Sequence, residues 1–149
     1  MIDAPCLDTE PMALADALRP ALLRASRRLR REASSTGASA LDAQLLGVIK
    51  KHPGLGVSDL AEHEQMAKPS MSNHIKRLEE SGLIVRDKAL AEDRRRVGIR
   101  LSKVGEAALE AIRRSRTDWL AGRLADLAPS DRAALAAAAE PLLRLAQDR

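Results

Sequence analysis

The chain has no phenylalanine, no tyrosine and a single tryptophan, Trp119. Without the large rings, its core must be built from Leu, Ile, Val, Met and many alanines, a set that suits close-packed helices. One cysteine, Cys6, excludes an internal disulfide framework and any multi-cysteine metal site. Its neighbours, DAPCLDTE, hold no cation to stabilise a thiolate, so a redox role for Cys6 is not expected. The three histidines, His52, His63 and His74, fall on separate segments at spacings unlike any metal motif, so neither a metal nor a cofactor is expected. Long apolar runs are missing, and so is a basic N-terminus followed by an apolar stretch. The expectation is a cytoplasmic protein with no membrane span and no secretory signal. No Ser/His/Asp grouping, glycine-rich phosphate loop or catalytic carboxylate pair stands out, so an enzyme is not expected.

Charge is plentiful and unevenly placed. Charged residues make up 31% of the 149 positions, with a net charge of +4. Between Lys68 and Lys103 there are ten Lys/Arg against five Asp/Glu, a local balance of +5 that leaves the remainder at −1. A basic excess confined to one segment is the electrostatic footprint of a phosphate-backbone partner, here double-stranded DNA. Length alone suggests one domain covering 1–149.

Apolar periodicity supplies the elements. Pro11 suits a first helical turn, and Leu14, Leu18, Leu22, Ala25 and Leu29 recur at helical spacing. Pro20 falls inside that stripe and predicts a kink or a later helix start. Arg27, Arg28, Arg30 and Arg31 lead into the breaker at Ser34 to Gly37. A second helix over 40–51 carries Leu41, Leu45, Val48 and Ile49 on one face, and a turn through Gly54 and Gly56 follows. A third helix is predicted from Val57 to Met66, with Leu60, Ala61 and Met66 inward. After a tight junction, Lys68 and Pro69 open a fourth helix; two short helices joined this closely form a helix-turn-helix.

In that fourth helix Met71, Ile75 and Leu78 share one face, flanked by His74. Pro69, Asn73, Lys76 and Glu80 lie opposite, with Ser70, Ser72 and Arg77 at the sides. Hydroxyls and amides can read base edges in a major groove, while Lys and Arg fix phosphates. Gly82 ends the helix, and Leu83–Lys88 and Val97–Leu101 read as strands joined by a long loop that carries Asp93, Arg94, Arg95 and Arg96. Such a wing can place an arginine in an adjacent minor groove. A long helix from Lys103 to about Leu127 has Val104, Ala108, Ile112, Trp119 or Leu120, Leu124 and Leu127 inward. A last helix follows the break at 128–131, with an apolar face of Leu135, Ala138, Ala139, Leu142 and Ala146. The terminal helices carry more apolar surface than a small winged domain can cover, which points to a two-fold dimer. The fold class expected is therefore mainly α with a small β-wing: a dimeric winged helix-turn-helix of about six helices and a two- to three-stranded antiparallel wing.

The run Lys68-Pro69-Ser70-Met71-Ser72-Asn73-His74-Ile75-Lys76-Arg77-Leu78, with Gly82-Leu83-Ile84, Asp93-Arg94-Arg95-Arg96-Val97 and Leu101-Ser102-Lys103-Val104-Gly105, resembles the multiple-antibiotic-resistance regulator (MarR) family over roughly residues 10 to 147. The resemblance implies a triangular winged-helix homodimer in which 10–33 and 103–147 dimerise and 40–102 bind DNA. Two recognition helices would enter successive major grooves of a pseudo-palindrome with half-sites about one helical turn apart. By similarity, Ser70, Ser72 and Asn73 contact bases, Lys68, Lys76 and Arg77 hold phosphates, Asp93 orients the wing and Arg95 reaches the minor groove, flanked by Arg94 and Arg96. The family commonly represses transcription and releases DNA on binding a small aromatic or anionic effector, whose pocket here would have aliphatic walls. A rival expectation is a winged-helix interaction or architectural module without ligand response.

Overall fold

The computed structural model describes residues 10–34, 37–87 and 97–147. These form six helices and one two-stranded sheet in the order α1 (Pro11–Ser34), α2 (Ala40–Lys51), α3 (Val57–His63), α4 (Lys68–Glu80), β1 (Ile84–Asp87), β2 (Gly98–Leu101), α5 (Lys103–Ala125) and α6 (Pro129–Leu145). The chain forms two compact units, Met1–Arg116 and Thr117–Arg149, and α5 runs through the boundary between them.

The first unit holds the apolar core. Leu45, Leu46 and Ile49 of α2 meet Leu60 and Ala61 of α3, Met71, Ile75 and Leu78 of α4, Ile84, Ile99 and Leu101 of the strands, and Leu109 and Ile112 of α5. Aliphatic packing thus does the work that aromatic rings do elsewhere, at about 25 cal/mol per Å² of apolar surface buried. The strands pair antiparallel with Ile84 opposite Leu101 and Arg86 opposite Ile99. The Gly54–Leu55 segment adds two backbone bonds to Ile99: Gly54 N–H donates to its carbonyl at 2.9 Å, and Ile99 N–H donates to the Leu55 carbonyl at 3.0 Å. What the glycines predict only as a turn therefore also borders the sheet, and Gly54 reaches this path at φ 98°.

Several boundaries differ from expectation for identifiable reasons. Helix α3 stops at His63 rather than Met66 because Gln65 takes a left-handed conformation, φ 50°. Gln65 N–H then donates to the Glu62 carbonyl and Met66 N–H to the Ala61 carbonyl, the paired bonds of a Schellman motif. Helix α1 starts at Pro11 and continues through Pro20, so a later start does not occur. Within its stripe Leu18 and Leu29 are half-buried, whereas Leu14 and Leu22 are exposed. In α2 the inward set also includes Ala43 and Leu46.

The largest correction concerns α5. Val104, expected inward, is 61% exposed, and the inward positions are Gly105, Leu109 and Ile112. The reason is a close approach: a Cβ at Gly105 would lie 1.9 Å from the Leu83 carbonyl oxygen. Later in α5, Ser115 Oγ donates to the Glu32 carbonyl at 3.3 Å and Arg116 Nε to the Leu29 carbonyl at 3.2 Å, tying α5 to the last turns of α1. In the second unit Arg132 of α6 donates to the carbonyls of Leu127 at 2.5 Å and Ala125 at 3.4 Å, satisfying acceptors at the end of α5.

Candidate nucleic-acid interface

The recognition element is α4, and its orientation follows from its own sequence. Met71, Ile75 and Leu78 are buried, as their i, i+4, i+7 spacing predicts. Pro69 occupies the first turn, where a missing N–H costs no helical bond. Gly82, at φ 72°, closes the helix with a second Schellman pair: its N–H donates to the Glu79 carbonyl and Leu83 N–H to the Leu78 carbonyl. The face left over, Lys68, Pro69, Ser70, Ser72, Asn73, Lys76, Arg77 and Glu80, is exposed throughout, whereas His74 is half-buried. Every candidate contact residue of α4 therefore lies on solvent-accessible surface. Asp93, Arg94, Arg95 and Arg96 lie outside the described residues, as does Cys6.

Polar ties hold α4 and its flanking turns to their neighbours, and those of Arg77 and Gln44 are marked by no pattern in the sequence. Arg77 Nη2 donates to Asp42 Oδ1 of α2 at 2.8 Å and to His74 Nδ1 at 2.9 Å. Arg77 is therefore tied to α2 although half of its side chain is accessible. Gln44 of α2 hydrogen-bonds Glu64 in the turn between α3 and α4. At the far end Ser102 caps α5: Gly105 N–H donates to its Oγ at 3.0 Å, and that Oγ donates to the Gly82 carbonyl at 2.5 Å. Ser102 N–H also donates to the Leu83 carbonyl at 3.0 Å. The serine and glycine of the Leu-Ser-x-x-Gly start thus clamp the end of the recognition helix. Three other cations are paired locally: Lys76 lies 3.8 Å from Glu80, Arg86 Nε 2.9 Å from Glu79, and Arg100 Nε 3.8 Å from Asp87. Such exposed pairs stabilise little and leave their cations available to other anions.

The ties shape the titration of the site. Burial pushes the Asp42 carboxyl up, but hydrogen bonds from Ser39 and Arg77, with the Arg77 charge, outweigh it and hold the group below its usual value. The hydrogen bond and charge of Lys50, 2.5 Å away, likewise lower Glu106 at the start of α5. A carboxylate with a depressed folded pKa stabilises the fold above its unfolded pKa, about 3.9 for Asp, and that contribution is lost as pH falls through the folded value. Asp42→Asn is therefore expected to be less stable than wild type at pH 7, with the gap closing below about pH 4. Urea unfolding of both proteins across pH 3 to 7 checks this; a gap that stays constant with pH would show that the ion pair does not stabilise the fold.

Among the described residues, no group of three or more His, Cys, Asp and Glu is placed to hold a metal ion, and no helix is long and apolar enough to cross a membrane. His52 and His63 lie with ring centroids 5.8 Å apart, and Trp119 carries the Arg123 guanidinium 6.0 Å from its ring centroid.

Comparison with known proteins agrees with this geometry. Residues 36–96 match the sequence profile of the MarR family. An HTH-type transcriptional regulator of Mycobacterium tuberculosis is 34% identical over 136 residues, 91% of this chain and 94% of its own. A crystal structure described as a transcriptional regulator protein from Pseudomonas aeruginosa superposes with TM-score 0.80 at 34% identity, covering 95% of this chain and 98% of that one. A single-residue mutant of Staphylococcus aureus MepR, solved bound to an oligodeoxyribonucleotide, shares the fold at TM-score 0.65 and 22% identity, over 90% of this chain and 98% of its own.

Proposed function

Because the chain belongs to the MarR family of transcriptional regulators, we propose that it binds pseudo-palindromic DNA operators as a cytoplasmic homodimer, represses transcription there, and releases DNA when a small aromatic or anionic ligand binds. The observation that carries the DNA reading is the two-sided character of α4. One face is locked into the core by Met71, Ile75 and Leu78, and the opposite face exposes hydroxyls, an amide and cations with no large apolar group among them. In this reading Ser70, Ser72 and Asn73 face base edges and Lys68 and Lys76 face phosphates. Arg77 contacts phosphate only with the donors left after its bonds to Asp42 and His74. Asp93 orients the wing and Arg95 enters the minor groove between Arg94 and Arg96.

The dimer reading rests on uncovered apolar surface. Helix α6 buries none of its residues within the single chain, and its Leu135, Leu143 and Leu145 are 48%, 62% and 75% exposed. Exposed leucines at this density mark a protein interface, and a second copy of the chain is the partner that a palindromic operator requires. Ligand release requires the ligand to favour one dimer geometry over another, since only differential affinity shifts an equilibrium.

The test is binding to duplex DNA across a salt series. The logarithm of affinity should fall linearly with log salt, with a slope near −0.9 per phosphate neutralised. Arg95→Ala should weaken specific binding by at least ~30-fold, about 1 kcal/mol from each subunit, while the dimer remains folded. Unaltered affinity in that variant would remove the wing from the interface.

A further inference from the structure

A cleft of about 320 Å³ opens between the start of α3, the start of α4 and the wing strands. Its volume is roughly ten times the ~30 Å³ share of one water, so it can take a ligand group. Ser58, Lys68, Ser72 and Arg86 line it together with Val57 and Val97. Two cations from different elements therefore converge on one hollow with two hydroxyls, and the two valines give it apolar walls.

Arg86 is the unusual member. It lies two residues after the buried Ile84 and opposite the buried Ile99, so the strand's alternation puts it on the same side of β1 as Ile84. Its side chain is nevertheless exposed, because β1 ends one residue later, so the guanidinium opens onto the cleft and solvent. Its Nε donates to Glu79 Oε2 of α4 at 2.9 Å. Its two terminal nitrogens have no acceptor among the described residues, and Lys68 has no ion-pair partner there either.

We infer that this cleft seats one phosphodiester of the DNA backbone, with Arg86 as a phosphate contact beyond those expected from sequence pattern and Lys68 and Ser58 as its companions, while Ser72 at its edge stays with the bases. Such a seat presupposes the DNA-binding function proposed above. A backbone phosphate is favoured over a free anion by position: Ser72 belongs both to the cleft and to the exposed face of α4, next to Asn73. A strand whose bases meet Asn73 would pass the cleft mouth beside Ser72. The deoxyribose beside the phosphate would lie against Val57 and Val97, an apolar surface that inorganic phosphate could not use. Glu79 holds Arg86 when DNA is absent and repels the phosphate when it is present.

Arg86→Gln and Glu79→Gln should therefore move affinity in opposite directions. Arg86→Gln should weaken duplex binding by ~10-fold or more and flatten the salt slope by about 0.9 for each phosphate no longer neutralised, with the ranking of operator sequences unchanged because phosphates carry no base identity. Glu79→Gln should tighten binding several-fold, and that gain should vanish in the Arg86→Gln background. Wild-type affinity and slope in Arg86→Gln would overturn the seat. So would parallel weakening in both single variants together with lowered melting temperatures, the result for a purely structural pair. Inorganic phosphate, titrated against chloride at constant ionic strength, separates the two phosphate sources. Displacement of DNA from wild type but not from Arg86→Gln would support the seat, whereas phosphate that binds wild type through Arg86 without displacing DNA would assign the cleft to the free anion and overturn the seat for DNA. If wild-type protein bound no duplex at all, the function proposed above would fail; weakening confined to the seat leaves that function standing.

Discussion

Gly105→Ala is expected to destabilise the protein by about 3 kcal/mol, while Gly122→Ala in the same helix stabilises it by about 0.5–1 kcal/mol. A Cβ at position 105 would meet the Leu83 carbonyl oxygen at 1.9 Å and its carbon at 2.9 Å, and backbone atoms cannot swing aside as a flexible side chain can. The start of α5 would have to withdraw, stretching the bonds of Ser102 to Gly82 and Leu83. Two hydrogen bonds weakened by ~0.5 kcal/mol each, added to an overpacking cost of ~2 kcal/mol, give about 3 kcal/mol. At Gly122 a Cβ meets nothing within 4 Å, so alanine there only removes the flexibility of a helical glycine. For a chain of this size a loss of about 3 kcal/mol lowers the melting temperature by roughly 6–12 °C. Thermal unfolding of the two variants checks both signs, and a neutral Gly105→Ala would mean that α5 does not dock against Leu83 as described. Because Gly82 and Leu83 close the recognition helix, Gly105→Ala should weaken DNA binding as well.

The second large effect concerns base reading. Replacing Ser72 and Asn73 together by alanine should lower affinity for the operator by about 10²–10³-fold while leaving nonspecific DNA binding nearly unchanged. Removing each base-edge bond costs roughly 1 kcal/mol, and a dimer presents both sites twice. Both positions are exposed, so the fold should survive. Lys76→Ala is the contrasting substitution: as a phosphate contact it should weaken all duplexes alike and reduce the salt slope. Competition of operator against random duplex separates the two behaviours. Equal weakening on both duplexes in the Ser72/Asn73 variant would place base reading elsewhere.

The parts of the fold legible in the sequence are those governed by periodicity or by a residue with one strong backbone preference. Met71, Ile75 and Leu78 mark the buried face of α4, and Gly82 marks its end, because those signals are local. The end of α3 is hidden because Gln65, an ordinary side chain, occupies a left-handed position that glycine usually announces. Val104 and Gly105 mislead because apolarity is a weak guide where two backbones approach closely: the residue facing inward is the one with no side chain. The family-like Ser102 and Gly105 are visible as a pattern, but their work as a clamp on Gly82 and Leu83 depends on bonds reaching about 20 residues away in sequence. For the same reason the bond between Arg77 and Asp42, and the convergence of Arg86 with Lys68, leave no mark on local sequence. The apolar stripe of α6 is legible, and its exposure within one chain is what turns it into an argument for a partner.

Whether two copies of α4 read a specific sequence is decided by selection from a pool of random duplexes with the full-length protein at physiological salt. The predicted result is enrichment of a pseudo-palindrome whose half-sites lie about 10–10.5 base pairs apart centre to centre, or a multiple of that spacing. A pool that binds but yields no motif, as a nonspecific architectural factor would give, would contradict it.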